Sequence, residues 1–137
     1  VIRAVVDPSV FVSAFPGRPD AGPGRLVSAW REQRFALVVS PLLLEELAGV
    51  LARPKFERWA SDGRAASYVA GFAARSENRP DPDFVEPSVR DPGDDYLVAL
   101  ARAETVDVLV SLDRDLLDAG LEDLVVEDPA TFVARLA

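Results

Sequence analysis

Four short apolar runs rich in β-branched residues punctuate this chain: Ile2 to Val6, Phe35 to Val39, Val106 to Leu112 and Leu124 to Val126. Each is too short for a buried helix and is bounded by turn-forming residues, so each reads as a buried strand. The segments between them carry helical spacing. A short helix opens at Asp7 or Pro8, and Arg25 to Gln33 sets Leu26, Val27 and Trp30 on one face. Ser40-Pro41 pairs a capping hydroxyl with proline at the first helical position and starts a helix to about Ala52. A short turn around Pro54 to Trp59 follows, then a helix from Gly63 to about Ser76 with Tyr68, Val69 and Phe72 inward. Asp91-Pro92 leads into a helix from about Asp94 to Glu104, and Asp128-Pro129 caps a last one burying Phe132, Val133 and Leu136. Pro16 to Pro23 reads as a loop and Asn78 to Pro92 as an irregular connection. Strands alternating with helices imply an α/β fold, a parallel sheet covered on both faces. With 137 residues and no internal repeat, the expectation is one domain over residues 1–137.

Composition narrows the chemistry. The chain has no cysteine and no histidine, which removes thiolate nucleophiles, imidazole bases and zinc sites built on either. Catalysis near neutral pH would rest on Asp, Glu, Ser, Arg, Tyr or the single Lys55. All-oxygen sites suit hard cations such as Mg²⁺ and Mn²⁺. The net charge of −8 runs against nucleic-acid binding, which ordinarily calls for basic surface. No run of eighteen apolar residues and no basic, apolar leader appear, so no membrane association and a cytoplasmic location are expected.

Two acids, Asp7 and Asp113, directly follow apolar strands, and sites in open α/β sheets form where strands end. Helical rotation selects two more. With Leu47 as zero, Leu43, Leu44, Val50 and Leu51 fall within roughly 60°, Glu46 lies about 100° away at the margin, and Glu45 about 160° away faces water. With Leu97 as zero, Asp94 falls at roughly 60° inside the apolar sector and Asp95 near 160°, solvated. A buried first-turn acid is costly unless paired or metal-bound. Asp91 just upstream either caps that helix or extends the cluster, and Asp115 either joins it or caps the Leu116-Leu117 turn.

The segments Val5-Val6-Asp7-Pro8-Ser9-Val10, Ser40-Pro41-Leu42-Leu43-Leu44-Glu45-Glu46-Leu47, Arg90-Asp91-Pro92-Gly93-Asp94-Asp95 and Val110-Ser111-Leu112-Asp113-Arg114-Asp115-Leu116-Leu117 resemble, in that order, the PIN-domain nucleases. The likeness is greatest to the bacterial branch of toxins from toxin–antitoxin pairs. It implies a three-layer α/β/α sandwich around a parallel sheet, with an acidic cluster that binds one or two Mg²⁺ or Mn²⁺ ions and hydrolyses RNA phosphodiesters. Position by position, Asp7, Glu46, Asp94 and Asp113 match the family's acidic quartet, with Asp91 and Asp115 accessory. Pro8-Ser9 departs from the family's usual Thr-Asn; Ser9 keeps a hydroxyl to orient Asp7 or substrate and loses the amide. The resemblance further implies an antitoxin partner covering the cleft, and homodimers.

Arg53, Lys55, Arg58 and Arg64 form the densest basic stretch, interleaved with Phe56 and Trp59, and suggest an RNA-contacting rim with base stacking. The bland alternative is a solvated helix face with Trp59 in the core, and Tyr68, Tyr96 and Trp30 read as packing residues. Two phosphoryl-transfer alternatives fit worse. A haloacid-dehalogenase type needs an acid where Ser9 stands, and a Toprim type needs glutamate where Asp7 stands. A rival of another class remains, a PIN-like module that has lost catalysis and binds RNA or protein.

Overall fold

A computed structural model of the chain describes residues 1–137 apart from Pro16, Arg18, Phe84, Arg90 and Ala137. Pro16 and Arg18 of the expected loop, Phe84 of the expected connection and Arg90 of the third resembling segment therefore lie outside the described residues. The strands are β1 (Arg3–Val6), β2 (Ala36–Val39), β3 (Glu77–Asn78), β4 (Val108–Val110) and β5 (Val126–Glu127). They form one sheet in the order β3-β2-β1-β4-β5, every pairing parallel. In β1, Ala4, Val5 and Val6 are all fully buried. Successive residues of a strand point to opposite faces, so the sheet's centre is covered on both, as the apolar runs require.

The helices are α1 (Pro8–Ala14), α2 (Gly22–Arg31), α3 (Pro41–Leu51), α4 (Glu57–Ser61), α5 (Arg64–Arg75), α6 (Asp95–Ala103), α7 (Arg114–Leu117) and α8 (Pro129–Arg135). Half of these begin with a side-chain cap that the sequence supplies. Asp7, Ser40, Asp113 and Asp128 cap α1, α3, α7 and α8, each accepting a backbone N–H from the first turn. α1 packs on α2 and α3, α3 on α5, and α2 on α8, while α6 lies against β1 and β4. Phe11, Leu26, Leu43, Leu47, Phe72, Leu97, Leu100 and Phe132 fill the core between them. Among the described residues no helix is long and apolar enough to cross a membrane.

Several expected boundaries are corrected. α2 starts at Gly22, taking Gly22 and Pro23 from the expected loop. A Cβ at Gly22 would sit 3.3 Å from the Ala130 nitrogen, so the bare glycine lets α2 approach α8. The helix ends before Gln33, whose φ of 59° breaks it. The expected connection from Asn78 begins with edge strand β3, whose two residues are too few to show a period. β5 lies at Val126–Glu127 rather than Leu124 to Val126, and α7 forms where only a turn was expected. Pro92–Asp94 makes a 3₁₀ turn, so α6 begins at Asp95 and not at Asp94.

The topology fixes where a site forms. From β1 the chain builds leftward through β2 to β3, then crosses back to place β4 on the other side of β1. The strand order therefore reverses between β1 and β4. Their carboxyl ends open the crevice where open α/β sheets bind ligands.

Candidate active site

Asp7 and Asp113 stand at that crevice. The Asp7 amide donates to the Val110 carbonyl at 2.8 Å, continuing the β1–β4 pairing one residue past the strand. Asp7 is only 4% exposed, and its carboxylate is held on both oxygens: the Ser9 backbone N–H donates to Oδ1 at 3.0 Å and the Ser111 hydroxyl to Oδ2 at 2.7 Å. The same Ser111 oxygen accepts the Asp113 N–H at 2.9 Å, and Asp113 Oδ1 in turn accepts the Asp115 N–H at 2.9 Å. One fully buried hydroxyl thus ties the two strand-end acids together.

These residues line a cleft of about 480 Å³ whose walls also include Glu46 from α3, and Asp91 and Asp94 from the turn before α6. The four acids of the expected quartet, from four separate stretches of chain, share this cleft. Asp91 accepts the Gly93 N–H at 2.9 Å, so it caps the 3₁₀ turn and lines the cleft at once. Arg53 and Lys55 stand on one side, and Val12, Val50 and the exposed Leu112 supply apolar wall.

The crowding is legible in the proton affinities. Burial first, then contact with the Asp113 carboxyl and the charges of Asp7, Asp113 and Asp91, push Asp94 up from 3.8 to about 7. Burial and the Asp7 charge also raise Glu46, opposed by the nearby Tyr96 phenol. Tyr96 is held above its ordinary value by burial, then by the charges of Glu46 and Asp7, so it stays a neutral donor. Its hydroxyl is buried beside Glu46, yet among the described residues it makes no hydrogen bond of ordinary geometry.

Other expected members fall elsewhere. Ser9 orients Asp7 through its backbone N–H, while its buried hydroxyl has no partner among the described residues. Asp115 lies outside the cleft and lines a neighbouring recess with Pro87 and Asp118. Arg58 also lies outside it, with its guanidinium carbon 4.9 Å from the Trp59 ring centroid. Arg64 pairs with Asp62 at 2.8 Å. Phe56 is buried and Trp59 packs edge-on against Phe15 at 5.9 Å, so the expected stacking surface is largely core.

The wheel argument for Asp95 fails. Asp95 is 7% exposed, and its Oδ1 accepts the Ser88 and Val89 N–H groups at 2.9 and 3.0 Å. The preceding connection folds over the start of α6 and supplies donors that no helical projection anticipates. Ser111 and Tyr96 are the residues that sequence reasoning passed over. Ser111 left a trace, a hydroxyl two positions before Asp113 and therefore on the same strand face.

The donor set is all oxygen and crowded enough that one carboxyl keeps its proton toward neutrality. That is the chemistry a hard divalent cation relieves, and in this sense the residues fit one. Among the described residues, no three acids are already drawn together as a cage that could hold a metal ion.

The sequence profile of a family described as "PIN domain" matches residues 3–115. No curated protein matches the chain by sequence. Among solved structures, VapBC2 from Rickettsia felis, bound to a DNA fragment from their promoter, aligns with a TM-score of 0.64 at 19% identity, covering 93% of this chain and 98% of that one. PAE2754 from Pyrobaculum aerophilum aligns with a TM-score of 0.60 at 18% identity, covering 98% of this chain and 89% of that one. FitAcB from Neisseria gonorrhoeae gives a TM-score of 0.53 at 21% identity, covering 92% and 97%. At such identities the likeness is one of fold.

Proposed function

The chain belongs to the PIN-domain family, and from that premise we propose that it is a metal-dependent ribonuclease acting in the cytoplasm as the toxin of a type II toxin–antitoxin pair. The observation that carries the reading is the meeting of Asp7, Glu46, Asp94 and Asp113 in one cleft at the switch point of the sheet. Asp7, Asp94 and Asp113 would hold one or two Mg²⁺ or Mn²⁺ ions, with Glu46 as a further ligand or as the group that orients the attacking water. When bound, such an ion lowers the pKa of water and offsets charge on the phosphoryl oxygens.

The chain's own residues do the rest. Ser111 and the Ser9 amide fix the rotamer of Asp7, so its oxygens need no reorganisation on loading. Arg53 and Lys55 would take the flanking phosphates, answering the objection raised by the net charge of −8. In-line hydrolysis would leave a 5′-phosphate and a 3′-hydroxyl; products ending in a 2′,3′-cyclic phosphate would overturn it.

The structural neighbours include VapBC2 and FitAcB. They support an antitoxin as partner; that it covers the cleft, and that the chain forms a homodimer, are further parts of the proposal. A second reading, a binding module without catalysis, draws on the open spread of the acids, no three of which form a cage among the described residues. Mn²⁺-dependent cleavage of an RNA panel by the wild type and Asp94→Asn separates the two. The nuclease reading requires cleavage by the wild type that the variant loses. Equal activity of both breaks the site assignment, and no Mn²⁺ binding with no cleavage favours the binding module.

A further inference from the structure

The Tyr96 hydroxyl is buried, yet among the described residues no donor or acceptor pairs with it in ordinary hydrogen-bond geometry. An orphaned buried hydroxyl is destabilising, and a phenylalanine would fill the same space without that cost. The phenol stands in the first turn of α6, close enough to the Glu46 carboxyl on α3 for the two to act on each other, though no hydrogen bond of ordinary geometry joins them. Nothing else among the described residues presents a side-chain donor to Glu46. The other groups acting on Glu46 are Asp7 and Asp91, which repel it.

We propose that Tyr96 is a positioning residue: its hydroxyl donates to Glu46 once a divalent cation loads the cleft, fixing the carboxylate for its role at the ion or the attacking water. Asp7 and Asp91 both repel the Glu46 carboxylate. Positive charge between the acids removes that repulsion and lets the Tyr96–Glu46 bond close. The inference rests on the nuclease reading for the identity of the ion and the reaction, not for the orphaned hydroxyl itself.

The test compares wild type, Tyr96→Phe, Glu46→Gln and the double variant, with Mn²⁺ alone as the calorimetric probe and RNA cleavage as a separate assay. Tyr96→Phe keeps the metal-free melting temperature or raises it, because it removes an unpaired polar atom. It weakens Mn²⁺ binding by about tenfold, the usual lower bound for losing an outer-shell partner. It lowers kcat with little change in KM. In the Glu46→Gln background the same substitution changes Mn²⁺ affinity by less than about twofold, since its effect passes through Glu46.

Unchanged Mn²⁺ affinity in Tyr96→Phe overturns the proposal, as does an undiminished effect in the Glu46→Gln background. A lowered metal-free melting temperature also overturns it, because the hydroxyl would then be a structural bond. If the wild type binds Mn²⁺ but cleaves no RNA, the reaction assignment fails while the binding arm still decides Tyr96. If the wild type binds no Mn²⁺, both fall.

Discussion

Ser111 donates its hydroxyl to the Oδ2 oxygen of Asp7 at 2.7 Å, joining two residues 104 positions apart in the chain. The bond crosses from the end of β4 to the end of β1, and it is fully buried at Ser111. Ser111→Ala would leave one Asp7 oxygen and the Asp113 N–H without their partner. Hydrogen bonds to charged groups are worth about 1.5–3 kcal/mol, so the variant should lose about 2 kcal/mol. A fall in the urea midpoint at constant m-value measures it, and an unchanged midpoint would show that water replaces the hydroxyl. RNA cleavage should fall as well, because Asp7 loses its fixed rotamer.

Asp94 gives the protein a pH dependence of definite sign. Its pKa rises from 3.8 to about 7 on folding, through burial and the neighbouring acids. The folded state therefore binds more protons than the unfolded chain between those values, and stability falls as pH rises across that window. Asp94→Asn should match the wild type near pH 4. At pH 8 it should be more stable by about 1 kcal/mol, a figure reduced for solvent screening in the open cleft. Thermal melts of metal-free protein at several pH values test this. Parallel stability curves for the two proteins would remove Asp94 as the source. Mn²⁺ should oppose the loss, since it competes with the same proton and binds more tightly as pH rises.

What the sequence disclosed depended on whether the controlling contacts were local. The central strands, the caps at Asp7 and Ser40 and the helical face of Glu46 follow from short-range pattern, and the structure agrees on each, except that β4 keeps only Val108–Val110 of the expected Val106 to Leu112. β3 was hidden because two residues carry no period, and its pairing is decided by β2. The four cleft acids could be picked out because Asp7 and Asp113 end strands, Glu46 sits at the margin of the apolar face midway along α3, and Asp94 lies in the turn that leads into α6. The resemblance to the PIN nucleases placed them in one set. Ser111 and Tyr96 were not legible in role, because each acts on a residue far away in sequence. Where Arg58 and Trp59 lie was not legible for the opposite reason. A dense local basic-aromatic run says nothing about which face packs, and here Phe15 and Phe56 claim the indole.

Asp95 is the sharpest contrast with its neighbour. Asp94 lines the cleft, whereas Asp95 anchors the connection before α6 through the Ser88 and Val89 amides. Asp95→Ala should cost about 1–3 kcal/mol by stranding two amides, with cleavage by the folded fraction retained. Asp94→Asn should do the reverse, abolishing cleavage without loss of stability. Chemical denaturation and cleavage assays on both variants settle it. Loss of cleavage in a well-folded Asp95→Ala would move the site boundary one residue along.

Arg53 and Lys55 offer the most direct check on how an acidic protein holds RNA. Both are exposed on the cleft wall, while Arg58 lies outside the cleft over Trp59. Each phosphate contact releases counterions, so removing one lowers the salt slope of binding by about 1. Arg53→Glu combined with Lys55→Glu should therefore weaken RNA binding and flatten its dependence on salt by about two contacts, whereas Arg58→Glu should leave that slope nearly unchanged. Filter binding of an uncleavable RNA analogue across a salt series gives both quantities. Equal effects from all three substitutions would mean that the protein's overall charge is acting. A distinct loss at Arg53 and Lys55 places phosphates beside the acids, where only a bound cation can make them compatible.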